Sequence, residues 1–503
     1  MSEPFYITTA ISYPNGPPHI GHAYEAIAAD AIARFQRSQG RDVRFQTGTD
    51  EHGLKMAQAA RAEGVEPRAF ATKMSQLFRD MCDTLNVSYD RFIRTSEPDH
   101  YRASQAIWRA MEERGDLYLD RYEGWYSVRD EAYYDESELV AREGGEKLSP
   151  HGSPVEWTVE ESWFFRLSKY QQPLLDHYAA NPDFIRPESR RNEVQRFVEG
   201  GLKDLSISRT SFAWGVPVPG SPDHVMYVWL DALTNYITGL GYPDDTELWR
   251  RYWPANVHLI GKDVVRFHAV YWPAFLMSAG IALPKQVYGH GFLLSRGEKM
   301  SKSVGNVVDP MVLAERFGVD ALRYFLLREV PFGQDGSYSA EAIVARANAE
   351  LANSFGNLAQ RTLSMIYKNL DGILPVQGEA AADGELLALV DETTKRELPD
   401  AFDRFAFSVG IEAWLRAVFA CNAYVDTQAP WALRKTDPER MAAVLGTLVV
   451  AVRELARAIA PIIPTTADKL LTLIDAGEGG TPIAQPTPLF PRLELEEEPE
   501  TAA

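Results

Sequence analysis

Only two of the 503 residues are cysteines, Cys82 and Cys421, and they stand far apart. That count excludes both a disulfide framework and a CxxC zinc knuckle, and two reduced thiols suit a cytoplasmic chain. No stretch approaches the roughly 20 consecutive apolar residues that cross a membrane as a helix. The opening MSEPFYITTA carries an acidic side chain where a secretory signal has basic ones, so no signal peptide is expected. Positive charge is also scarce: 51 Lys and Arg against 70 Asp and Glu leave a net charge of −19. A nucleic-acid partner would have to be drawn by local basic faces and not by the overall field. Part of the excess acid lies in the terminal LELEEEPETAA, expected to be a solvated, disordered tail. What remains is ordinary globular composition, 45% hydrophobic and 24% charged. The length accommodates roughly three domains of ~150 residues each.

Phe5 to Tyr13 is rich in β-branched and aromatic residues and predicts a buried strand. PNGPP then breaks the chain. From Ile20, apolar positions Tyr24, Ile27, Ala31, Ile32 and Phe35 recur with helical spacing as far as Gly40, a fitting C-cap. DVRFQTGTD predicts a second strand. The hexapeptide PPHIGH, Pro17 to His22, therefore sits at the first strand-to-helix turn, where ligands bind in open parallel sheets. A helix start there offers N–H groups and partial positive charge to phosphate. His19 and His22, at i and i+3, share one side of that turn. They suit three roles: zinc ligands with His52 of TDEHG as a third, a core pair, or two donors aimed at one anion. The location favours the anion. Gly21 removes a side chain and so admits a flat ligand such as a base against the backbone.

Far downstream, LSRGEKMSKSVGN sets Lys299, Ser301, Lys302 and Ser303 between Gly297 and Gly305. It follows VYGHGFLLS, which predicts one strand. A solvated basic loop is the plain reading. The functional one is a glycine-hinged lysine lid that closes over a triphosphate. Its spacing is not that of a Walker A loop.

HIGH at 19–22 with KMSKS at 299–303 is the signature pair of class I aminoacyl-tRNA synthetases. With AISYPNGPPHIGH, TGTDEHG, YVWLDALTNY, GKDVVRFHAVYWP and QAPWAL, the chain resembles the methionyl-tRNA synthetase family from about Phe5 to about Pro464. The resemblance implies an α/β Rossmann-like parallel-sheet catalytic domain with an inserted connective domain, followed by an all-α anticodon-binding bundle. The expected boundaries are 1–119 and 226–345 for the catalytic halves and 120–225 for the insertion. The bundle follows over 346–492 and the acidic tail over 493–503.

It also implies chemistry. ATP with Mg²⁺ activates L-methionine to methionyl-adenylate, and the methionyl group passes to the 3′ end of tRNA(Met), initiator and elongator alike. His19, His22, Lys299 and Lys302 are the expected catalytic residues. Pro18, Gly21, Gly261, Asp263, His290 and Ser301 join them in holding ATP. Asp50, ending the second strand, is placed to pair with the methionine ammonium. Ile11, Tyr13, Val228, Trp229, Ala232, Leu233, Tyr236, Val264, His268 and Trp272 would surround the thioether, with Tyr13 or His268 offering sulfur a weak hydrogen bond. Read without the resemblance, Val228, Trp229 and Trp272 are as well explained as core, and Asp263 as an ordinary strand-end residue.

Between about Asp120 and Val225, WYSVRDEAYYDESELV and PVEWTVEESWFFRLS read as alternating strands around a Gly-rich turn. The segment resembles the family's connective insertion but contains no Cys, and His151, His177 and His224 lack ligand spacing. A zinc-free knuckle is expected, with no metal site. Its basic RPESRRNEVQR faces the tRNA acceptor end or is simply a solvated helix. The insertion is too short for a separate editing domain, and the resemblance implies that homocysteine is rejected in the synthetic site. One methylene gives only about 1–3 kcal/mol of discrimination. After SVGNVVDP the chain turns to amphipathic helices. There Asn357, Arg361 and Trp431 match family positions that read the anticodon. Nothing beyond about Arg492 forms another domain, so a monomer is expected. A different class I synthetase, a small-molecule nucleotidyltransferase and a non-catalytic tRNA-binding relative each leave one of these motifs without a purpose.

Overall fold

A helix does begin at PPHIGH. A computed structural model, describing residues 2–127, 132–142, 145–150, 152–295, 298–299 and 307–495, runs α1 from Ile20 to Ser38. Its inward stripe, including Ile20, Tyr24, Ile27, Ile32 and Phe35, is buried, as the spacing dictates. Gly40 follows at φ +80°, a left-handed position that glycine occupies without strain.

The described chain forms two compact units. The first comprises Met1–Pro18, Gly40–Met81 and Tyr89–His290. Its centre is a parallel sheet of β1 (Pro4–Thr9), β2 (Asp42–Thr49), β3 (Arg91–Arg94), β4 (Ile185–Arg186), β5 (Val257–Gly261) and β6 (Val287–His290). The spatial order is β3-β2-β1-β5-β6-β4. In register, Ile7 of β1 lies opposite Phe45 on one side and Val257 on the other. All three are apolar because a parallel strand is covered on both faces. The chain leaves β1 toward β2 and later returns beside β1 as β5. This reversal opens a crevice beyond the strands' carboxyl ends. The predicted first strand is shortened: pairing stops at Thr9, and only a bridge from Ser12 to Thr49 continues it. Ile11 and Tyr13 thus leave the ladder at the crevice end.

Helices α2 (Pro98–Glu113) and α3 (Val228–Thr238) belong to the same unit. They enter one apolar core holding Trp108, Phe165, Leu233, Tyr236, Trp272 and Val287. The inserted segment is built on a long antiparallel pair, Leu117–Ser127 with Glu156–Phe165, in which Leu117 faces Phe165. That is the alternating material the sequence predicts there.

The second unit comprises His19–Gln39, Cys82–Ser88 and Gly291–Ala503. It joins α1 to α4 (Val319–Arg328), α5 (Asn357–Asn369), α6 (Phe407–Gln428), α7 (Pro430–Thr436), α8 (Pro438–Ile459) and α9 (Pro464–Asp475). VYGHGFLLS is not one strand: β6 ends at His290, and Leu293–Ser295 starts a separate small sheet with Glu298–Lys299 and Gly336–Tyr338. Gly291 makes the break possible, since a Cβ there would stand 2.1 Å from the Gln334 carbonyl oxygen. Within this unit Asp30 of α1 and Arg323 of α4, both wholly buried, pair at 2.6 Å. Arg323 also donates to the carbonyls of Pro461 and Ile462 ahead of α9, at 3.0 Å each. Removing Asp30 would leave the buried Arg323 charge without its carboxylate, at a cost of about 3–5 kcal/mol, whereas Asp30 keeps a second partner in Arg34 at 2.8 Å. Among the described residues no helix is long and apolar enough to cross a membrane.

Candidate active site

The two histidines of PPHIGH cap α1 themselves. His19 is the N-cap, and its Nδ1 accepts the Gly21 amide at 3.0 Å. In return His22 Nδ1 accepts the His19 amide at 3.0 Å, and the rings lie 3.8 Å apart. This is a capping box with imidazoles in place of the usual hydroxyl and carboxylate. Because each Nδ1 accepts a backbone hydrogen, the proton of each neutral ring resides on Nε2, which makes both outer nitrogens donors. Gly21 has another explanation than the one its sequence suggests: a Cβ there would meet His19 Cε1 at 2.8 Å. The capping ring itself thus leaves no room for a side chain at this position. Among the described residues no group of three His, Cys, Asp or Glu is disposed to hold a metal ion, and His52 has other partners, described below.

Ile20, the first residue of α1, donates its amide to the Val308 carbonyl at 2.9 Å. The chain just beyond the lysine loop is thereby fastened to the histidine cap. Lys299 pairs through its backbone with Leu294. Its side chain, and the whole of Ser301, Lys302 and Ser303, lie outside the described residues.

In the first unit, Gly261 and His290 end β5 and β6 directly opposite each other. Asp263 follows in the next turn, exposed, with its carboxylate oxygen 2.7 Å from where a Gly261 Cβ would be. A glycine is required there for the carboxylate to fold back. Gly261, Asp263 and His290 are thus gathered at the carboxyl end of the sheet. Pro18 is buried in the same unit, whereas His19, Gly21 and His22 belong to the second.

The residues expected around methionine all belong to the first unit. Asp50 is 6% exposed, and its amide donates to the Ser12 carbonyl at 2.8 Å. Tyr13 is half-buried, and its hydroxyl accepts the Met56 amide at 3.2 Å. Trp229, half-buried, stacks on Phe267 with centroids 3.4 Å apart. Ile11 and Val264 are half-buried, Ala232 and Leu233 are buried, and of Val228 only the backbone is described. Tyr236, His268 and Trp272 are buried within the core, so for them the core reading and the pocket reading meet.

His268 has a fixed tautomer. Its Nδ1 faces the Val264 carbonyl at 2.9 Å and must donate, leaving Nε2 to accept the Tyr236 hydroxyl at 2.6 Å. Burial lowers its pKa to about 4, the Val264 hydrogen bond opposing only in part, so the ring is neutral at pH 7. A neutral His268 so held has no N–H to spare for sulfur, contrary to the sequence expectation. Beside it His258, also buried and driven down by burial, stacks on Tyr236 at 4.1 Å and takes the Trp272 indole at 3.3 Å.

The sequence reading passes over the supports of Asp50. Glu51 receives Arg94 through both carboxylate oxygens, at 2.7 and 3.1 Å, together with the hydroxyls of Ser75 and Ser96. Burial opposes its ionisation, but Arg94 and the two hydroxyls outweigh that and hold its carboxyl below the usual range. Glu51 does adjoin Asp50 in TDEHG, but Arg94 is 43 positions away and carries no local mark.

In the second unit Asn357 opens α5, exposed, and Arg361 follows four residues on. The Arg361 guanidinium sits 5.4 Å from the Trp431 ring centroid and 3.4 Å from Asp426. Trp431, second residue of α7, is 49% exposed. The arginines of RPESRRNEVQR are partly neutralised: Arg186 pairs with Asp183, and Arg190 with Glu193 at 2.8 Å.

Two family models match. The one described as tRNA synthetases class I (M) covers residues 5–144 and 146–363, and the anticodon binding domain of methionyl tRNA ligase covers 375–487. A methionine–tRNA ligase of Brucella suis is 58% identical over 508 residues, spanning 97% of this chain and 98% of that protein. One from Mycobacterium tuberculosis H37Rv is 57% identical over 517 residues, 99% of each chain. Among solved structures, the M. tuberculosis methionyl-tRNA synthetase in complex with methionyl-adenylate superimposes with a TM-score of 0.94 at 57% identity, over 97% of this chain and 100% of that one. Its apo form gives 0.87 at 53% identity, over 99% of each.

Proposed function

The chain belongs to the methionine–tRNA ligases of class I, and from that premise we propose how its own residues divide the reaction. In the first step the methionine carboxylate attacks the α-phosphorus of ATP and pyrophosphate departs. In the second, the terminal ribose hydroxyl of tRNA takes the methionyl group and AMP is left. Neither step needs a covalent bond to the enzyme, so the protein supplies alignment and charge stabilisation.

His19 and His22 donate through Nε2 to oxygens of the α-phosphate as it becomes five-coordinate. Lys299 and Lys302 neutralise the departing pyrophosphate, with Ser301 beside them. ATP enters as its Mg²⁺ complex, the ion offsetting phosphate charge. Asp263, with Gly261, His290 and Pro18, holds the nucleoside end. Asp50 receives the methionine ammonium. Tyr13, Trp229 and Ala232 wall the side chain, with Ile11, Val228, Leu233, Val264 and Trp272 behind or beside them. Tyr236 and His268 lock that wall by binding each other. Sulfur–aromatic contacts of roughly 0.3–1.5 kcal/mol each favour a thioether in such surroundings. Asn357, Arg361 and Trp431 read the anticodon, in initiator and elongator tRNA(Met) alike. The protein acts as a cytoplasmic monomer. It holds no zinc, since the inserted segment contains no Cys.

The observation that carries this reading is the histidine cap: two rings 3.8 Å apart whose inner nitrogens are taken by backbone amides, setting two donors at a helix start. ATP–pyrophosphate exchange with each amino acid in turn, then charging of tRNA, tests it. Exchange with methionine and methionylation of tRNA(Met) are the expected results. No exchange with methionine overturns the reading.

A further inference from the structure

Asp231 sits in the first turn of α3, one residue before Ala232, yet it is wholly buried. Its Oδ2 lies 2.6 Å from His52 Nδ1 and its Oδ1 2.7 Å from His100 Nε2. A carboxylate only accepts, so both of those nitrogens donate. The outer nitrogen of His52 meets the Tyr101 hydroxyl at 3.0 Å. Thr238 gives its hydroxyl hydrogen to the Thr234 carbonyl at 3.0 Å, so it offers His100 Nδ1, at 3.1 Å, lone pairs alone. Ser104 stands 3.2 Å from His100 Nε2. Burial by itself pushes the Asp231 carboxyl up. The charge of His52 and the hydrogen bonds from both imidazoles outweigh it and bring the carboxyl down to about 2.

His52 belongs to the loop Asp50–Gly53 after β2. Glu51 ties that loop to Arg94 of β3, and the Trp214 indole donates to the Glu51 carbonyl at 2.6 Å. Gly53 returns its amide to the Trp214 carbonyl at 3.1 Å. These bonds hold the loop to β3 and Trp214, and His52 holds it, through Asp231, to the helix that bears Trp229, Ala232 and Tyr236. We propose that Asp231 is a positioning residue for methionine: through His52 it clamps the Asp50 loop to α3 and so fixes the span between the ammonium-binding carboxylate and the side-chain wall. The proposal rests on the assignment of Asp50 to the ammonium. It gives Asp231 and His52 a part in selecting an α-amino acid of one length, without contact with it.

Asp231→Asn keeps the shape but removes one of the two acceptors. In pyrophosphate exchange it is expected to raise KM for methionine about tenfold or more, the cost of losing a buried charge-assisted hydrogen bond. KM for ATP and kcat at saturating methionine should stay within about twofold. The inhibition constant of 4-(methylthio)butanoate, which lacks the ammonium, should not move. His52→Asn, which retains a donor near the Nδ1 position, should keep most methionine affinity, whereas His52→Ala should match Asp231→Asn. This pair carries the test if Asp231→Asn does not fold. Equal losses for methionine and for the ammonium-free inhibitor, or unchanged KM in both Asp231→Asn and His52→Ala, overturn the proposal. Asp50→Asn run alongside separates the two claims. An unchanged methionine KM there sinks the ammonium assignment and the clamp with it. A loss in Asp50→Asn beside normal Asp231→Asn and His52→Ala sinks the clamp alone.

Discussion

Around Tyr236 the polar groups are engaged with one another: its hydroxyl with His268, His268 with Val264, and the Trp272 indole with His258. Trp431 on α7 is the reverse case, half open to solvent with the Arg361 guanidinium near its face. On the assignments proposed above, the difference follows from what each region would hold. A thioether brings few atoms and no charge, so discrimination depends on a wall whose shape is fixed beforehand. A splayed base brings its own flat π-surface and hydrogen-bonding edge, and needs a ring and a few donors left accessible. On those assignments burial marks the pocket in one region and exposure marks the base platform in the other.

The largest test of that contrast lies with the chemistry itself. Lys302→Ala should lower the rate of adenylate formation by about 3 kcal/mol, some hundredfold or more, with methionine affinity little changed. Stopped-flow fluorescence during adenylate formation reads both. Normal turnover with weak methionine binding would refute the assignment. Next comes Trp431→Ala, expected to raise KM for tRNA about tenfold or more through a lost stack of roughly 1–3 kcal/mol. Methionine-dependent pyrophosphate exchange should be untouched, and loss of both activities would give Trp431 a folding role instead.

A third test is pH. The His268 pKa of about 4 lies below the ~6.5 of an unfolded chain, so between those values the unfolded state binds the extra proton. The stabilisation is complete above about pH 6.5 and falls as pH drops toward 4, by about 2 kcal/mol between pH 7 and 5 from this group. Urea unfolding across that range should show the decline, and His268→Asn, which keeps a donor for Val264, should flatten it. The smallest effect belongs to Tyr236→Phe. It removes one hydrogen bond to a neutral ring, about 1 kcal/mol, and should raise methionine KM a few-fold while charging of tRNA at saturating methionine persists.

The sequence made the strand–turn–helix at PPHIGH legible because period and punctuation act over a few residues. Asn357, Arg361 and Trp431 were legible only through resemblance, yet Arg361 and Trp431 do come together. What stayed hidden is what depends on partners far along the chain. Asp231 stands in YVWLDALTNY and His52 in TDEHG, but 179 positions separate them, and neither motif points to the other. The tighter constraint on Gly21 was hidden for a related reason: its neighbour His19 folds over it, and a string of letters does not show which way a ring turns. VYGHGFLLS looked continuous because its apolar and aromatic residues suit a strand on both sides of Gly291, while the obstacle, the Gln334 backbone, comes from another segment.

The bond from the Ile20 amide to the Val308 carbonyl sets a leash. Lys302 lies six residues before Val308, and six residues of extended chain reach at most roughly 20 Å. That length of chain confines the Lys302 ammonium to a small sphere about the imidazole cap, a bound set by covalent geometry alone. A short tether of this kind gives an effective concentration in the millimolar range or above. The phosphate end of a bound nucleotide would then meet the Lys302 ammonium by a search within one molecule, and lengthening the sequence between Lys302 and Val308 would dilute it.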